Sequence, residues 1–350
     1  MNKLAVPLFV AMLFVIIVGG SWSGSIPPYP ELILLYIGIN IILTVSLNLV
    51  NGYMGEFSCG HAGFMAVGAY VSSVITVLLF AQDDVFGAPL LPAWSSILLF
   101  PVALFIGGLA AAIVGLLAAV PSFKTRGDYL AIVTLAVNYI VKSAIENIDI
   151  IGGPRGFMGM KKVTNAMESV VDAPWMVIWT FLGVVVTILV VRNFVASTYG
   201  KGVVAIRDDE VAAEIMSVNT KGMKIIAFML SSGLAGVAGG LFAHVLGYIN
   251  PGSFTIMKST EVLVMIYLGG MGSLTGSCMS AVMFTLMLEG LRPLQVWKWV
   301  VIPLILILLM LFRPEGIMGN KEIYDVIPQL KRFFRIRERE EVESYVPVSN

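Results

Sequence analysis

The feature that most constrains this chain is a series of long stretches without a single Asp, Glu, Lys or Arg. They cover 4–30, 32–55, 57–82, 85–123, 129–141, 173–191, 225–257, 262–288 and 299–312. A helix that crosses a bilayer needs about 20 mostly apolar residues. The run at 85–123 reads as one helix, because Pro89, Pro92 and Trp94 fit a loop and an interface. The run at 129–141 extends past Lys142 and Glu146 to about 148. Nine candidate helices follow. Charged residues make up 13% of the chain and mean hydropathy is +0.90, whereas a soluble domain carries about 25% charge. The solvent for most of the chain is therefore lipid. The formal net charge of zero gives no footing for a nucleic-acid partner.

Orientation follows from Lys and Arg in short connections, which favour the cytoplasm. Arg192, Lys201, Arg207, Lys221 and Lys224 lie in 192–224, Lys124 and Arg126 between the fourth and fifth helices, and seven more in 313–350. Nine crossings starting inside would leave the basic tail outside. One further reversal repairs this, and "LGGMGSLTGS" at 268–277 is the place for it. As one helix, Ser259–Glu289 would be about 46 Å long, beyond a hydrocarbon core of about 30 Å. The expectation is an all-α polytopic membrane protein of about ten elements, the eighth short or re-entrant. Both termini then lie in the cytoplasm. Residues 1–312 form the transmembrane domain and 313–350 a charged tail. The loop 148–174 falls outside with Arg155, Lys161 and Lys162. Lys3, the apolar run 4–18 and the small residues at 19–25 also fit a cleaved signal peptide. An uncleaved first helix is the simpler reading.

Helices in lipid associate through small residues. Gly107, Ala111, Gly115 and Ala119 recur every fourth residue on the fourth helix, and Ser232, Gly236 and Gly240 on the seventh. Both stripes read as helix-packing faces, with His244 next in line as a hydrogen-bonding group. Cys59 and Cys278 lie far apart without metal-ligand spacing and read as packing residues.

Two glycine-broken segments share a local pattern: "GYMGEF" at 52–57 and "GGMGSL" at 269–274. Irregular backbone at membrane depth survives only where protein or water satisfies it. Paired broken segments in two halves of a chain point to a translocation site. The first contributes Gly52, Gly55, Glu56, Ser58, Gly60 and His61, and the second Gly269, Gly270, Gly272 and Ser273. Glu56 has two readings, an interfacial loop near a helix N-terminus or the lining of a pathway. On the fifth helix Asn138, Lys142 and Glu146 share a face. They border a wet vestibule or form the snorkelling end of a helix.

The longest charged connection is "YGKGVVAIRDDEVAAEIMSVNTKGMK", 199–224. Residues 208–217 have helical character, with Val211, Ile215 and Val218 near one face, and 219–222 reads as the stop. A solvated loop is the plain reading and a docking element for a cytoplasmic partner the functional one. "YGKG" is not a nucleotide-binding loop, since the upstream glycine and the hydroxyl after Lys are missing. Two histidines far apart provide no catalytic cluster. An ion-coupled transporter would need ionisable groups deep in the spans, and Glu56, His61, Lys142 and His244 are the candidates.

Six motifs in order, "GYMGEFSCGHAGFMAVGAY", "RGDYLAIVTLAVNYIV", "GGPRGFMGM", "AIRDDEVAAEIMSVNTKGMKIIAFMLSSGLAGVAGGLFAH", "LGGMGSLTG" and "LFRPEGIMG", span about 50–320. Together they resemble the permeases of branched-chain amino acid ABC importers. The resemblance implies an ABC importer permease fold in the bacterial inner (plasma) membrane, paired with a second related permease. It also implies two cytoplasmic ATP-binding subunits, which hold ATP and Mg, and a periplasmic amino-acid-binding protein. This chain itself would hold no cofactor or metal and do no catalysis. Leu, Ile or Val would be the substrate; relatives carrying urea, amides or other amino acids are the alternative. Arg207, Asp208, Asp209, Glu210, Ala212, Ala213, Glu214, Ser217 and Asn219 would then lie in the ATPase-coupling segment. ABC importers often carry E-A-A-x-x-x-G here, whereas this chain has Val211-Ala212-Ala213 and then Ser217. It also has Cys59 where the family often has Leu before Gly-His.

Overall fold

The computed structural model describes residues 5–82, 87–123 and 129–297, with isolated residues from 300 to 319. Its helices are α1 (Ala5–Trp22), α2 (Pro28–Asn48), α3 (His61–Phe80), α4 (Ser95–Ser122), α5 (Tyr129–Glu146), α6 (Met160–Val170), α7 (Trp175–Ala196), α8 (Thr198–Asp208), α9 (Glu210–Ile215), α10 (Thr220–Leu246), α11 (Ile256–Gly269) and α12 (Leu274–Gly290). One π-helical turn, Leu49–Tyr53, continues α2. Among the described residues, six helices are long and apolar enough to cross a membrane: α2 with its π turn, α3, α4, α5, α7 and α10. Val10–Trp22 and α12 are shorter apolar helices. The helix expected at 299–312 and the charged tail lie largely outside the described residues.

The core forms where α10 crosses α3 and α4, and it works because side chains are missing there. A Cβ on Gly68 would lie 2.2 Å from the Gly236 backbone, and one on Gly239 would lie 1.9 Å from the Met65 carbonyl. Gly107 meets the Gly68 carbonyl, Ala111 meets Gly236, Gly115 meets Ser232, and Gly240 meets Leu104 and Ser72. Ala119 is fully buried one turn beyond Gly115. Helix axes approach closely enough for dispersion to hold them together without a hydrophobic drive. His244 bridges the same crossing, with Nδ1 donating to the Gly240 carbonyl and Nε2 2.8 Å from Thr76 Oγ1.

The break expected at 268–277 is a reversal. Lys258 near the start of α11 and Thr285 near the end of α12 both bond Asn40, while Gly272 in the turn bonds Asn48. The two helices are therefore an antiparallel hairpin laid along α2. Val264, Met265, Leu268, Ala281 and Phe284 form a small core of their own between them.

Two local expectations change. The region 148–174, read as a loop, contains the amphipathic α6, which buries Met160, Val163 and Met167 at i, i+3 and i+7. It is held there by Phe157–Met158 (β1), which pairs antiparallel with Tyr248–Ile249 (β2), and by Lys162 donating to the Gln82 carbonyl at 2.7 Å. The helix read at 208–217 is α9, with Asp209 as its N-cap, and the connection ahead of it holds a further helix, α8, which stops where the Asp209 backbone is extended (φ −161°).

Candidate functional site

Both broken segments and the charged connection gather at one end of the bundle. Leaving α2, the π turn places Gly52 against the second break, and Gly55 turns the chain with φ +73°. Several backbone N–H groups of the irregular residues 54–60 find partners within the protein, Met54 on the Leu49 carbonyl and Glu56 on the Val50 carbonyl among them. Ser58 N–H donates to Asn51 Oδ1 at 3.3 Å and Cys59 N–H to Thr134 Oγ1 at 3.1 Å, and just inside α3 Ala62 N–H donates to Ser259 Oγ at 3.0 Å. His61 is buried, its Nε2 2.8 Å from Ser46 Oγ. A Cβ on Gly60 would strike the Thr134 carbonyl at 2.4 Å, so α5 packs directly on this segment.

The second break touches the first. Asn48 donates to the Ser273 carbonyl at 3.0 Å and to Ser277 Oγ at 2.8 Å, and accepts from Gly272 N–H at 3.0 Å. A Cβ on Gly52 would lie 2.4 Å from Gly272 N. Gly269 lies against the Gly276 carbonyl across the hairpin, and Gly270 turns with φ +108°. Ser273 caps α12 by accepting from Gly276 N–H. The carbonyls of Leu268 and Gly269 accept from Ile317 and Met318 N–H, so part of the "LFRPEGIMG" motif seals this turn. The similarity of "GYMGEF" and "GGMGSL" is thus a similarity between two segments in contact.

The charged connection grips the first break through two cations. Arg207 Nη1 donates to the Gly52 carbonyl at 3.3 Å and its stem covers Gly55, where a Cβ would lie 2.6 Å from Arg207 Cγ. Lys224, with its side chain only 8% exposed, pairs with Glu56 at 2.7 Å and Glu210 at 2.9 Å. Phe123 adds its ring face 5.9 Å from the ammonium. Glu56 is therefore tied to α10 directly, and to α9 through Lys224.

In and around α9 most of the predicted coupling residues have a structural task. Asp209 caps the helix, accepting from Val211 and Ala212 N–H. Asp208 pairs with Arg207 at 3.0 Å. Glu214 accepts from Thr220, and Asn219, read as a stop, is instead the N-cap of α10. Ala213 is the buried contact of α9, and Ala212 faces outward. Beyond the C-terminus of α9, Val218 N–H returns to the Ala213 carbonyl and Ser217 N–H to the Glu214 carbonyl, a Schellman stop. This forces Ser217 to φ +62°, the position where the resemblance expects glycine. A serine there carries roughly 1–2 kcal/mol of strain. Ser217→Gly relieves it at a partial entropic cost, and should slow amide exchange at Val218 about threefold, for a net gain of about 0.6 kcal/mol; unchanged exchange would refute the strain.

Asn138 lies apart from the grip. It is buried against Gly63 of α3, and Oδ1 has no partner among the described residues. Lys142 and Glu146 form a half-exposed pair at 3.6 Å. Lys224 and Asn48 are the residues that sequence reasoning missed: the first entered only as a positive charge for orientation, the second lay inside an apolar run.

Residues 29–311 match a family model described as the branched-chain amino acid transport system / permease component. The chain is 31% identical over 317 residues to the high-affinity branched-chain amino acid transport system permease protein LivM of Escherichia coli K12, covering 84% of this chain and 69% of that one. It is 23% identical to a probable LivM of Methanocaldococcus jannaschii, covering 86% and 96%. It is 23% identical to LivH of Salmonella typhimurium, covering 81% and 92%. No solved structure matches.

Proposed function

Because the chain belongs to the family of permease components of branched-chain amino acid transport systems, we propose that it forms one half of the translocation path of an ATP-driven importer for Leu, Ile or Val. A second related permease supplies the other half. Two ATP-binding subunits, holding ATP and Mg, dock on α8–α9, and a periplasmic binding protein delivers the amino acid. The chain sits in the inner (plasma) membrane with both termini and α8–α9 in the cytoplasm, as the basic residues of 192–224 favour.

The observation that carries this reading is Lys224, shared between Glu56 of the first break and Glu210 of α9. A displacement of α9 is felt at Glu56 through the ammonium that Glu210 and Glu56 share, which is itself buried. From the first break it passes to the second through Asn48 and the Gly52–Gly272 contact. Closure of the ATPase dimer thus has a route to both broken segments. The docking surface has matching chemistry: Val211, Ile215 and Met216 expose 63%, 76% and 77% of their surface on a helix flanked by charge. Burying one such side chain is worth about 1.5–3 kcal/mol, or about tenfold to a hundredfold in affinity. Ile215→Asp should leave the fold of the chain intact and weaken co-purification of the ATPase subunits by at least about tenfold. Undiminished co-purification would reject the docking site.

A further inference from the structure

At the end of the α11–α12 hairpin away from the turn, a cavity of about 430 Å³ opens between α2, α11 and α12. Its volume falls in the range of small-molecule sites, roughly 300–1,000 Å³. Inside it lies a charge pair at the start of α11. Lys258 and Glu261 meet at 3.0 Å, with side chains 17% and 18% exposed. Ion pairs this dry rarely stabilise a fold better than apolar residues of equal volume. Ionisable groups inside a membrane protein mark function before they mark stability.

The pair is not saturated. Glu261 engages Lys258 through Oε2, and Oε1 makes no hydrogen bond among the described residues. Lys258 has three donors; one goes to Glu261 and a second, at 3.4 Å, to Asn40 Oδ1. One donor and one acceptor therefore remain, side by side. Ile33, Tyr36 and Leu288 supply an apolar wall. Glu289 and Arg292 add a second opposed pair to the lining, 3.3 Å apart. Among the described lining residues two cations face two carboxylates, which suits a ligand carrying both charges better than a simple anion or cation.

We propose that this cavity is a transit site for a zwitterionic α-amino acid with an apolar side chain. Its carboxylate meets Lys258, its ammonium meets Glu261, and its side chain lies against Ile33, Tyr36 and Leu288. The site rests on the importer reading and deepens it, since the cavity lies on the opposite end of α2 from the α8–α9 grip, the end that would face incoming substrate.

The test is saturation-transfer NMR on the assembled complex in detergent, without binding protein. The probes are L-leucine, isopentylamine (no carboxylate) and 4-methylpentanoate (no ammonium). Leucine should show transfer, with both one-charge probes at least about tenfold weaker. Lys258→Met and Glu261→Gln should each weaken leucine by a similar factor. Because the probe series uses the wild-type protein, it decides even if a variant fails to fold. Absence of leucine transfer, equal transfer from all three probes, or unaltered variants would overturn the site. ATP-driven leucine uptake by the wild-type complex, measured in parallel, separates this failure from failure of the importer reading itself.

Discussion

Lys224→Met is expected to uncouple ATP hydrolysis from uptake. The substitution keeps the length of the side chain and removes its charge, so Glu56 and Glu210 lose the cation they share at 2.7 and 2.9 Å. Breaking a fully buried pair from one side costs about 3–5 kcal/mol. Glu210 is about half exposed and Glu56 partly so, which screens the effect to roughly 2–3 kcal/mol. The loss falls on the contact between α9 and the first break rather than on the core. Leucine uptake by the reconstituted complex should drop at least about tenfold while basal hydrolysis continues. Lys224→Arg should restore part of it. Lys221→Met, three residues earlier and exposed, serves as the control and should have no effect. Coupled transport at the wild-type level in Lys224→Met would sever the proposed route.

Gly68→Ala is expected to have the largest structural effect. The added methyl would lie 2.2 Å from both Cα and the carbonyl oxygen of Gly236. Both atoms belong to the α10 backbone, so no side-chain rotation relieves the clash, and α3 and α10 must separate. Overpacking of a tight core costs about 1–3 kcal/mol and more where backbone must move. Here the separation also loosens Gly107 and Gly239, which pack at the same crossing. The variant should give a lower yield of monodisperse protein and a thermal transition in detergent several degrees lower. Gly19→Ala, with nothing within 4 Å of its Cβ, should behave as wild type. Equal stability of the two variants would show that the three-helix crossing is not the stabilising core.

These effects fall at positions that differ in how visible they were beforehand. The reversal at 268–277 was legible because a continuous helix there would outrun the bilayer, a constraint of length alone. The stripes at 107–119 and 232–240 were legible because small residues every fourth position define a face. Gly68 sits in the same crossing but belongs to no such stripe, and only the approach of α10 gives it meaning. α6 was hidden by its length and by Lys161 and Lys162, although its buried residues keep helical spacing. The start of α9 was legible from its Asp-rich beginning, whereas α8 was hidden because Gly200, Lys201 and Gly202 look like a connection. Long-range polar partners were the least visible. Lys224 finds Glu56 across 168 positions and Asn48 finds Ser273 across 225, separations that no local pattern encodes. Lys258 and Glu261 were overlooked for a different reason: charges at the edge of an apolar run look like the edge of a membrane.

The family places this chain among transport permeases. The proposed role is that of a passive half-gate whose motion would originate on other chains and enter through α8–α9. The most direct measurement is accumulation of radiolabelled leucine in proteoliposomes, comparing the complete complex, with ATP and binding protein, to this chain and its permease partner without ATPase subunits. Accumulation against a gradient in the first and none in the second is the predicted result; uphill accumulation without the ATPase subunits would contradict it.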